Sequence, residues 1–291
     1  MAGPLRLPAR TAASADPLVS AFDVPSTARE LIDAYSTRDV VPPPSARKPG
    51  FDLAAAYAVE AELVRLRRAE GWTPVGRKVG YANKAVWRAL KLETLVWAHM
   101  YDRTVRYAQD NAASLEVGRF SAAKIEPEIV FKLRRPLGEA ADAAAALDAV
   151  EWVALGFEII DCVYPEWKFQ PADFVAAFGL HAALIVGEPR RVDADSIPAL
   201  VQQLARFTLQ LRRNGEVVEE GAGRNSLRSP ALCLGELASA IVRRTPAEPL
   251  TAGELVSSGT LTESRPIAAG ESWTAVVEGI DLPGLSLIIG P

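Results

Sequence analysis

The sequence has few of the residues on which several common functional sites depend. Its 291 residues include only two cysteines and two histidines, and Cys162 and Cys233 stand far apart. They form neither a metal-binding cysteine motif nor a disulfide framework, and a reducing cytoplasm fits this usage best. No apolar stretch is long enough to span a membrane, and no glycine-rich nucleotide-binding pattern occurs. We therefore expect a cytoplasmic protein without a membrane-spanning segment.

Positive charge is not concentrated anywhere in the chain. The net charge is −4, and lysine and arginine are spread without a basic block. Nucleic acid is therefore not an expected partner. The N-terminal stretch carries Arg6 and Arg10 but lacks the apolar core of a secretory signal. We predict that residues 1–25 form a flexible tail, with a transit peptide as the alternative.

The composition and the periodicity predict a β-rich α+β fold. Hydrophobic residues make up 49% of the chain and charged residues 23%, which is typical of a globular protein with a large core. A capping-box pattern at residues 27–30 predicts a short helix through Tyr35, and apolar residues at helical spacing predict a helix over residues 53–70. We assign residues 26–74 to an N-terminal helical part and residues 75–291 to a β-rich catalytic domain.

Short strand-like runs alternate with glycine and proline after Val75. Their uneven spacing argues against repeated βαβ units. The predicted strands are residues 76–80, 125–133, 157–163, 182–186, 255–261, 272–277 and 285–289, and helices are predicted near residues 143–153, 197–211 and 230–243.

Two glutamates in one strand-like run form the most informative pattern. Glu126 and Glu128 lie two positions apart in an apolar stretch, so a strand would direct both carboxylates to the same face. Buried charge is costly unless it is paired or binds a metal. Glu158, in a second apolar run, adds a third carboxylate, and three oxygen ligands favour Mg²⁺ or Mn²⁺. The alternative is a solvated face on an edge strand, which Pro127 would tolerate.

Six separated motifs occur in an order that resembles a known family. They are GRKVGYANKAVWRALKL (76–92), KIEPEIVFKL (124–133), GFEIID (156–161), PEWKFQPADFVA (165–176), LTAGELVSSGTLTES (250–264) and PIAAGESWTAVVEGI (266–280). The chain resembles the 2-hydroxypentadienoate hydratase and 4-oxalocrotonate decarboxylase group of the fumarylacetoacetate hydrolase superfamily.

This resemblance implies both a fold and a chemistry. It implies a mixed β-roll core with an N-terminal helical part, and homo-oligomeric assembly. It implies that Glu126, Glu128 and Glu158 hold a divalent metal. A 2-oxo acid substrate would chelate that metal and react through an enolate, with the metal stabilising the oxyanion as a Lewis acid. A role in aromatic compound catabolism follows.

The resemblance also assigns roles to individual residues. Lys78 matches an active-site lysine and is a candidate for proton transfer, and an ammonium near a metal in an apolar wall should have a lowered pKa. Lys168 matches a lysine near the metal, and Asp102 falls where an aspartate orients the catalytic lysine. Gly259 and Thr260 match a loop that contacts the substrate carboxylate. Taken alone, each of these residues also fits an ordinary structural role.

The chain departs from the family pattern at the substrate pocket. Cys162 and Val163 replace a Ser-Arg pair, and residues 177–181 are more apolar than usual but add His181, which we regard as a catalytic candidate. Arg224 and Asn225 lie in a distinctive turn, and either is a candidate for binding a polar substrate group. We hypothesise that the substrate is a larger or different 2-oxo acid.

Three functions compete at this point. The first is a metal-dependent lyase that hydrates a 2-hydroxydienoate or decarboxylates a 2-oxo diacid. The second is a carbon–carbon bond hydrolase of the acylpyruvate type, which needs a histidine–glutamate pair, and His99 with Glu93 or Glu116 is the available combination. The third is a non-catalytic paralogue, against which the intact metal ligands and Lys78 argue.

Overall fold

The computed structural model describes residues 23–140, 142–244 and 247–291. Most of the predicted tail, residues 1–22, lies outside these described residues. The first helix begins at Val24, so the last residues assigned to the tail are helical. The division at residue 74 into two parts stays a prediction.

Eight α-helices occur within the described residues. Asp23 caps the first of them by accepting a hydrogen bond from the Ser26 backbone N–H at 3.0 Å. The predicted capping box at Thr27 is wrong, because Thr27 is buried one turn inside the helix. The helices are α1 Val24–Thr37, α2 Pro44–Arg47, α3 Leu53–Ala69, α4 Lys84–Leu90, α5 Ala143–Asp148, α6 Pro171–Ala176, α7 Ile197–Arg206 and α8 Pro230–Arg243. None of these helices is both long and apolar enough to cross a membrane.

Fourteen strands, counted over the same described residues, form two sheets. They are β1 Pro74–Gly80, β2 Val96–Tyr101, β3 Val105–Tyr107, β4 Ala112–Glu116, β5 Lys124–Leu133, β6 Val150–Ile160, β7 His181–Val186, β8 Arg190–Arg191, β9 Thr208–Arg213, β10 Glu216–Ala222, β11 Leu255–Ser257, β12 Arg265–Pro266, β13 Ser272–Glu278 and β14 Leu285–Gly290. The strands predicted at 76–80, 125–133, 182–186, 272–277 and 285–289 are confirmed within two residues.

The larger sheet is mixed and carries the predicted carboxylates at its centre. Its strand order is β2-β1-β11-β5-β6-β7-β3, with β12 beside β5 and β8 beside β6. β1 runs parallel to β11, whereas β5 pairs with β6 in the antiparallel sense. The smaller sheet has the order β10-β9-β13-β14-β4. The predicted α+β class with a mixed β-rich core is confirmed.

Two predicted helices are too long. The segment predicted as helix over residues 143–153 becomes strand at Val150, and the segment over residues 197–211 becomes strand at Thr208. Leu209 and Leu211 are buried and alternate with more exposed neighbours, which is the periodicity of a strand. The turn after β9 contains Asn214 and Gly215 at positive φ (52° and 89°), and this pair is the usual signal for a tight hairpin.

Candidate metal centre

The pairing of β5 with β6 brings the three predicted carboxylates together. Glu126 lies directly opposite Glu158 in the register, and Glu128 lies two residues further along the same face. One carboxylate oxygen from each side chain lies within 4.8 Å of those from the other two. Glu128 and Glu158 are fully buried, whereas Glu126 remains partly exposed. The group of three predicted from sequence is therefore a spatial cluster, which we call the carboxylate cluster.

The cluster has more acceptor oxygens than donors. Glu128 Oε2 accepts hydrogen bonds from Ser257 Oγ at 2.5 Å and from the Gly259 backbone N–H at 2.8 Å. Its Oε1 atom is buried and has no hydrogen-bond partner among the described residues. A buried carboxylate oxygen without a partner is costly, and a cation with oxygen ligands satisfies it. The donor set therefore fits a hard divalent metal held by Glu126, Glu128 and Glu158.

The pKa values of the cluster reflect the same imbalance. Burial and the charge of Glu158 raise the pKa of Glu126 to about 7, against the lowering effect of Lys78. Burial, Glu158 and Glu126 raise the pKa of Glu128 well above its ordinary value. Burial acts in the same direction on Glu158, but Lys78 and His181 hold the pKa of that carboxyl below its ordinary value. Close carboxylates resist simultaneous ionisation, and a divalent cation removes that repulsion.

Lys78 reaches the cluster from β1. Its Nζ atom lies 3.1 Å from Glu158 Oε2 and 4.8 Å from the centroid of the Phe174 ring. Burial lowers the pKa of Lys78, but the three carboxylates together raise it above the ordinary value of a lysine. Without a bound metal, the surrounding negative charge outweighs the loss of solvation. The lowered pKa expected for this lysine beside a metal stays a prediction.

Gly179 makes room for the aliphatic part of Lys78. A Cβ atom at residue 179 would lie 2.8 Å from Lys78 Cδ and 2.9 Å from Ala98 Cβ, and the residue has φ of +60°. Glycine is the residue that meets both requirements without strain. The apolar segment at residues 177–181 thus contributes directly to the position of the lysine.

His181 contacts the cluster, but Phe178 does not face the pocket that opens over it. His181 Nδ1 lies 2.9 Å from Glu158 Oε1, and its Nε2 lies 2.9 Å from Thr104 Oγ1. Phe178 packs edge-on against Tyr35, with ring centroids 5.7 Å apart. His181 therefore supports a predicted metal ligand, and its catalytic role stays a prediction.

A pocket of about 720 Å³ opens over the carboxylate cluster. Lys78 and Glu126 lie at its floor, and Thr260 lies on its wall. The Gly259 N–H, which was expected to bind substrate, instead donates to Glu128, and Thr260 Oγ1 donates to the Thr262 carbonyl at 2.9 Å. Their predicted substrate contacts stay predictions.

Three other predicted site residues lie away from the cluster. Asp102 is exposed and accepts hydrogen bonds from the Thr73 and Arg103 backbone N–H groups, both at 3.0 Å. Lys168 is exposed and pairs with Glu166 at 2.5 Å. Arg224 lines a neighbouring pocket rather than this one. Their proposed catalytic and binding roles stay predictions, and none of these contacts supports them.

His99 is paired on the opposite face of the larger sheet. It lies across from Arg77 on β2, so its side chain points away from the face that carries Lys78. Its Nδ1 atom forms an ion-pair contact with Glu60 of α3, and not with Glu93 or Glu116. The histidine–glutamate pair considered for a hydrolase is therefore absent from the carboxylate cluster, as far as the described residues show.

Sequence reasoning missed several residues of the site. Ser257 belongs to a quoted motif, but its hydrogen bond to Glu128 depends on the pairing of β11 between β1 and β5. Tyr81 and Phe174 line the pocket with their rings 5.3 Å apart and come from distant segments. No local signal brings such residues together, because strand pairing across long separations is decided by the whole fold.

Known proteins with similar sequences align with most of this chain. The fumarylacetoacetate (FAA) hydrolase C-terminal family matches residues 98–282. The chain is 28% identical over 253 residues to 2-hydroxyhexa-2,4-dienoate hydratase from Comamonas testosteroni, covering 87% of this chain and 92% of that protein. It is 29% identical over 233 residues to 4-oxalocrotonate decarboxylase from Pseudomonas sp. strain CF600, covering 80% and 84%.

A solved structure shares both the fold and nearly the whole length. 4-Oxalocrotonate decarboxylase from Pseudomonas putida G7, complexed with magnesium and adipate, superposes with a TM-score of 0.81 at 25% identity. The match covers 91% of this chain and 97% of that one. The mixed β-roll with N-terminal helices, expected from the sequence resemblance, is thereby confirmed.

Proposed function

We propose that this chain, which belongs to the fumarylacetoacetate hydrolase C-terminal family, is a divalent-metal-dependent lyase of the 2-oxopent-4-enoate hydratase type. Its substrate would be a 2-hydroxydienoate or the corresponding 2-oxo acid. The reaction would be either the addition of water or the loss of CO₂ from a 2-oxo diacid.

The carboxylate cluster is the observation that carries this proposal. Three carboxylates lie close together, Glu126 among them lines the pocket, and one buried oxygen of Glu128 has no partner among the described residues. A bound Mg²⁺ would supply Lewis-acid stabilisation of the negative charge that develops on the 2-oxo oxygen. Mg²⁺ is the ion named with the decarboxylase structure, and Mn²⁺ is the alternative.

Lys78 is the proposed proton donor. In the protein without metal, the surrounding carboxylates raise the pKa of Lys78 and so favour its ammonium form, which can donate a proton. In hydration, the enol O–H proton leaves, C5 and C3 each gain a proton, and the oxygen of water bonds to C4. In decarboxylation, the bond to the distal carboxylate breaks, CO₂ leaves, and the electron pair passes to the enol system, which takes a proton. Both reactions require proton transfer close to the metal ligands, where Lys78 Nζ lies.

The hydrolase alternative has less support. Such an enzyme needs a base that activates water beside the substrate. His99 faces the opposite side of the sheet and pairs with Glu60. The hydratase and decarboxylase relatives also cover most of this chain. Cytoplasmic location, homo-oligomeric assembly and a role in aromatic compound catabolism are proposals that rest on the family.

Metal removal and substitution of one ligand test the proposal together. The purified protein should turn over 2-hydroxypenta-2,4-dienoate with Mg²⁺, lose activity in EDTA and regain it when Mg²⁺ is restored. Glu128→Gln should abolish activity and weaken Mg²⁺ binding in calorimetry, whereas the matched variant Glu216→Gln, on an exposed end of β10, should change neither. Product masses should show a gain of water from this substrate, or a loss of CO₂ from a 2-oxo diacid offered in its place. Activity that survives both EDTA and Glu128→Gln would disprove the metal mechanism.

A further inference from the structure

A second cavity lies on the face of the larger sheet that is opposite to the carboxylate cluster. It has a volume of about 460 Å³ and is formed by one side of α3, by Trp97 and His99 of β2, and by the segment that follows α8. Trp97 and His99 stand two residues apart on β2 and therefore share this face. We infer that the cavity binds an aromatic monocarboxylate, independently of the metal centre and of the proposed lyase reaction.

The body of this cavity is apolar and aromatic. Ala54, Ala58 and Ala61 recur on α3 at the spacing of one helical face, and their small side chains leave the space open. Tyr57 and Trp97 also line it, with ring centroids 4.8 Å apart and ring planes inclined at 49°. A planar hydrocarbon group gains free energy by leaving water for such a surface. Cavities of roughly 300–1,000 Å³ are the usual size for sites that bind small organic molecules.

Arg244 gives the cavity a positive charge that no described carboxylate neutralises. The other charged side chains of the lining each have a partner of opposite sign, and the pairs are Arg65–Glu62, Arg68–Glu248 and His99–Glu60. Among the described residues, Arg244 forms neither an ion pair nor a side-chain hydrogen bond, and its guanidinium carbon lies 3.9 Å from the centroid of the Tyr57 ring. A guanidinium stacked on an aromatic ring keeps its N–H donors available, and these donors match a carboxylate in bidentate geometry.

His99 supplies a second polar group that lacks a partner. Its side chain lines the cavity, and the residue is only 5% exposed. The Nδ1 atom faces Glu60, whereas Nε2, on the other edge of the ring, has no hydrogen-bond partner among the described residues. A buried polar atom without a partner costs free energy, and an oxygen atom of a bound ligand would satisfy it. The Nε2 atom donates to a carboxylate when the ring is protonated and accepts from a hydroxyl group when the ring is neutral.

The balance of charge around the cavity selects the class of ligand. A cationic ligand would meet the unpaired charge of Arg244, and like charges in a partly buried site repel each other. A dicarboxylate would bring its second negative charge towards Glu60 and Glu248, which also line the cavity. A neutral aromatic molecule would fill the apolar part but would leave the guanidinium without an acceptor. A single carboxylate on an aromatic ring therefore matches both parts of the lining.

Calorimetric titration with 2-naphthoate tests the site directly. The titration is done in EDTA, so that no metal ion in the carboxylate cluster can attract the ligand. The wild type should bind 2-naphthoate with a Kd below about 1 mM. The neutral analogue 2-naphthylmethanol should bind at least about tenfold more weakly, because it cannot form an ion pair with Arg244. Absence of saturable binding, or equal binding of the acid and the alcohol, would overturn the inference.

Two pairs of variants assign the binding to this cavity. Arg244→Gln should weaken 2-naphthoate at least about tenfold and leave 2-naphthylmethanol unchanged, whereas Arg243→Gln, at the neighbouring exposed residue that pairs with Glu236, should change neither. Ala58→Trp should fill the cavity and abolish binding of both molecules. Its control is Ala69→Trp, at the exposed end of α3 and outside the lining, which should bind as the wild type does. Full affinity for 2-naphthoate in Ala58→Trp would overturn the inference.

A crystal structure with 6-bromo-2-naphthoate locates the ligand, because bromine gives an anomalous signal. We expect the signal in the cavity beside Trp97, with the carboxylate on Arg244. A signal found only in the pocket over the carboxylate cluster, or a cavity filled by a segment of a second copy of the chain, would overturn the inference. Glu128→Gln, which should abolish the proposed reaction, should bind 2-naphthoate as tightly as the wild type, so a failure of the proposed function and a failure of this inference are distinguishable.

Discussion

Adjacent residues of β1, Arg77 and Lys78, point to opposite faces of the larger sheet and enter two buried charged clusters of different character. Lys78 faces the carboxylate cluster. Arg77 faces a second group, which we call the arginine cluster and which also contains Glu60, His99 and Glu254. Each group is mostly buried, with one partly exposed member, Glu126 in the first and Glu254 in the second. The two groups therefore differ chiefly in their balance of charge.

The arginine cluster pairs its acids internally. Arg77 Nη1 donates to Glu254 Oε2 at 2.7 Å, and the Glu60 carboxylate accepts from the His99 ring and, at 3.1 Å, from the His99 backbone N–H. Burial raises the pKa of Glu60, but His99 and Arg77 together lower it by a larger amount, so the net shift of this pKa is downward. The atoms left without partners there, Arg77 Nε and His99 Nε2, are nitrogens.

The carboxylate cluster shows the reverse pattern. Glu128 has a raised pKa, and the two buried atoms without a hydrogen bond among the described residues, Glu128 Oε1 and Glu158 Oε2, are carboxylate oxygens. Only the second of them has a cation beside it, the Lys78 ammonium at 3.1 Å. The difference teaches that burial of charge alone does not mark a metal site. An excess of buried carboxylates over available donors is the informative feature, because an added cation balances it while the carboxylates stay ionised.

Replacement of Lys78 should give the largest effect on turnover. Lys78→Met removes the proposed proton donor, and we expect kcat to fall by about 10²–10⁴-fold in the presence of Mg²⁺. Calorimetric binding of Mg²⁺ should persist, because the three carboxylates remain. Loss of Mg²⁺ binding in this variant would show that Lys78 supports the metal site rather than proton transfer to the substrate.

Replacement of the neighbouring residue should instead act on stability. Arg77→Met removes a buried guanidinium, which leaves the partly exposed Glu254 without its ion-pair partner and buried Glu60 without a nearby positive charge, and such a loss costs about 1–3 kcal/mol of unfolding free energy. Denaturant titration of Arg77→Met and Lys78→Met measures the contrast. A fall in stability that is equal in the two variants would remove the distinction between the two faces.

His181 should tune the metal site by orienting Glu158. We expect His181→Ala to weaken Mg²⁺ binding by about 10–100-fold, because partners of metal-binding carboxylates contribute by this amount. His181→Gln retains a donor and should recover part of the affinity. If His181→Ala binds Mg²⁺ as tightly as the wild type, the contact with Glu158 is not a positioning contact.

The smallest expected effect is a pH dependence of protein stability that arises from Glu60 in the arginine cluster. Because the pKa of Glu60 is lowered in the folded protein, its ionised form stabilises the fold above its unfolded pKa, and this contribution is lost as the pH falls through the folded value. Glu60→Gln should cost about 1–2 kcal/mol near neutral pH, and less in acid. If the difference in unfolding free energy between Glu60→Gln and the wild type is the same at pH 7 and at pH 4, this assignment is contradicted.

The fold was predictable where periodicity is local and strong. The helix of residues 230–243 and the strand that carries Glu126 were predicted close to their observed bounds. The segment after Asp148 was misassigned, because alanine-rich sequence favours helix in isolation while β6 gains its hydrogen bonds from β5 and β7. Tertiary pairing overrides propensity there.

The sequence by itself determined the three carboxylates that were predicted to hold a metal and the strand that presents two of them. The spacing of Glu126 and Glu128 fixes their shared face, since alternation along a strand is a local property. Only the tertiary structure decided that His181 contacts Glu158, that His99 pairs with Glu60 on the opposite face of the larger sheet, and that Asp102 lies at the surface. Those contacts join segments far apart in the chain, and no local pattern specifies which distant strands pair.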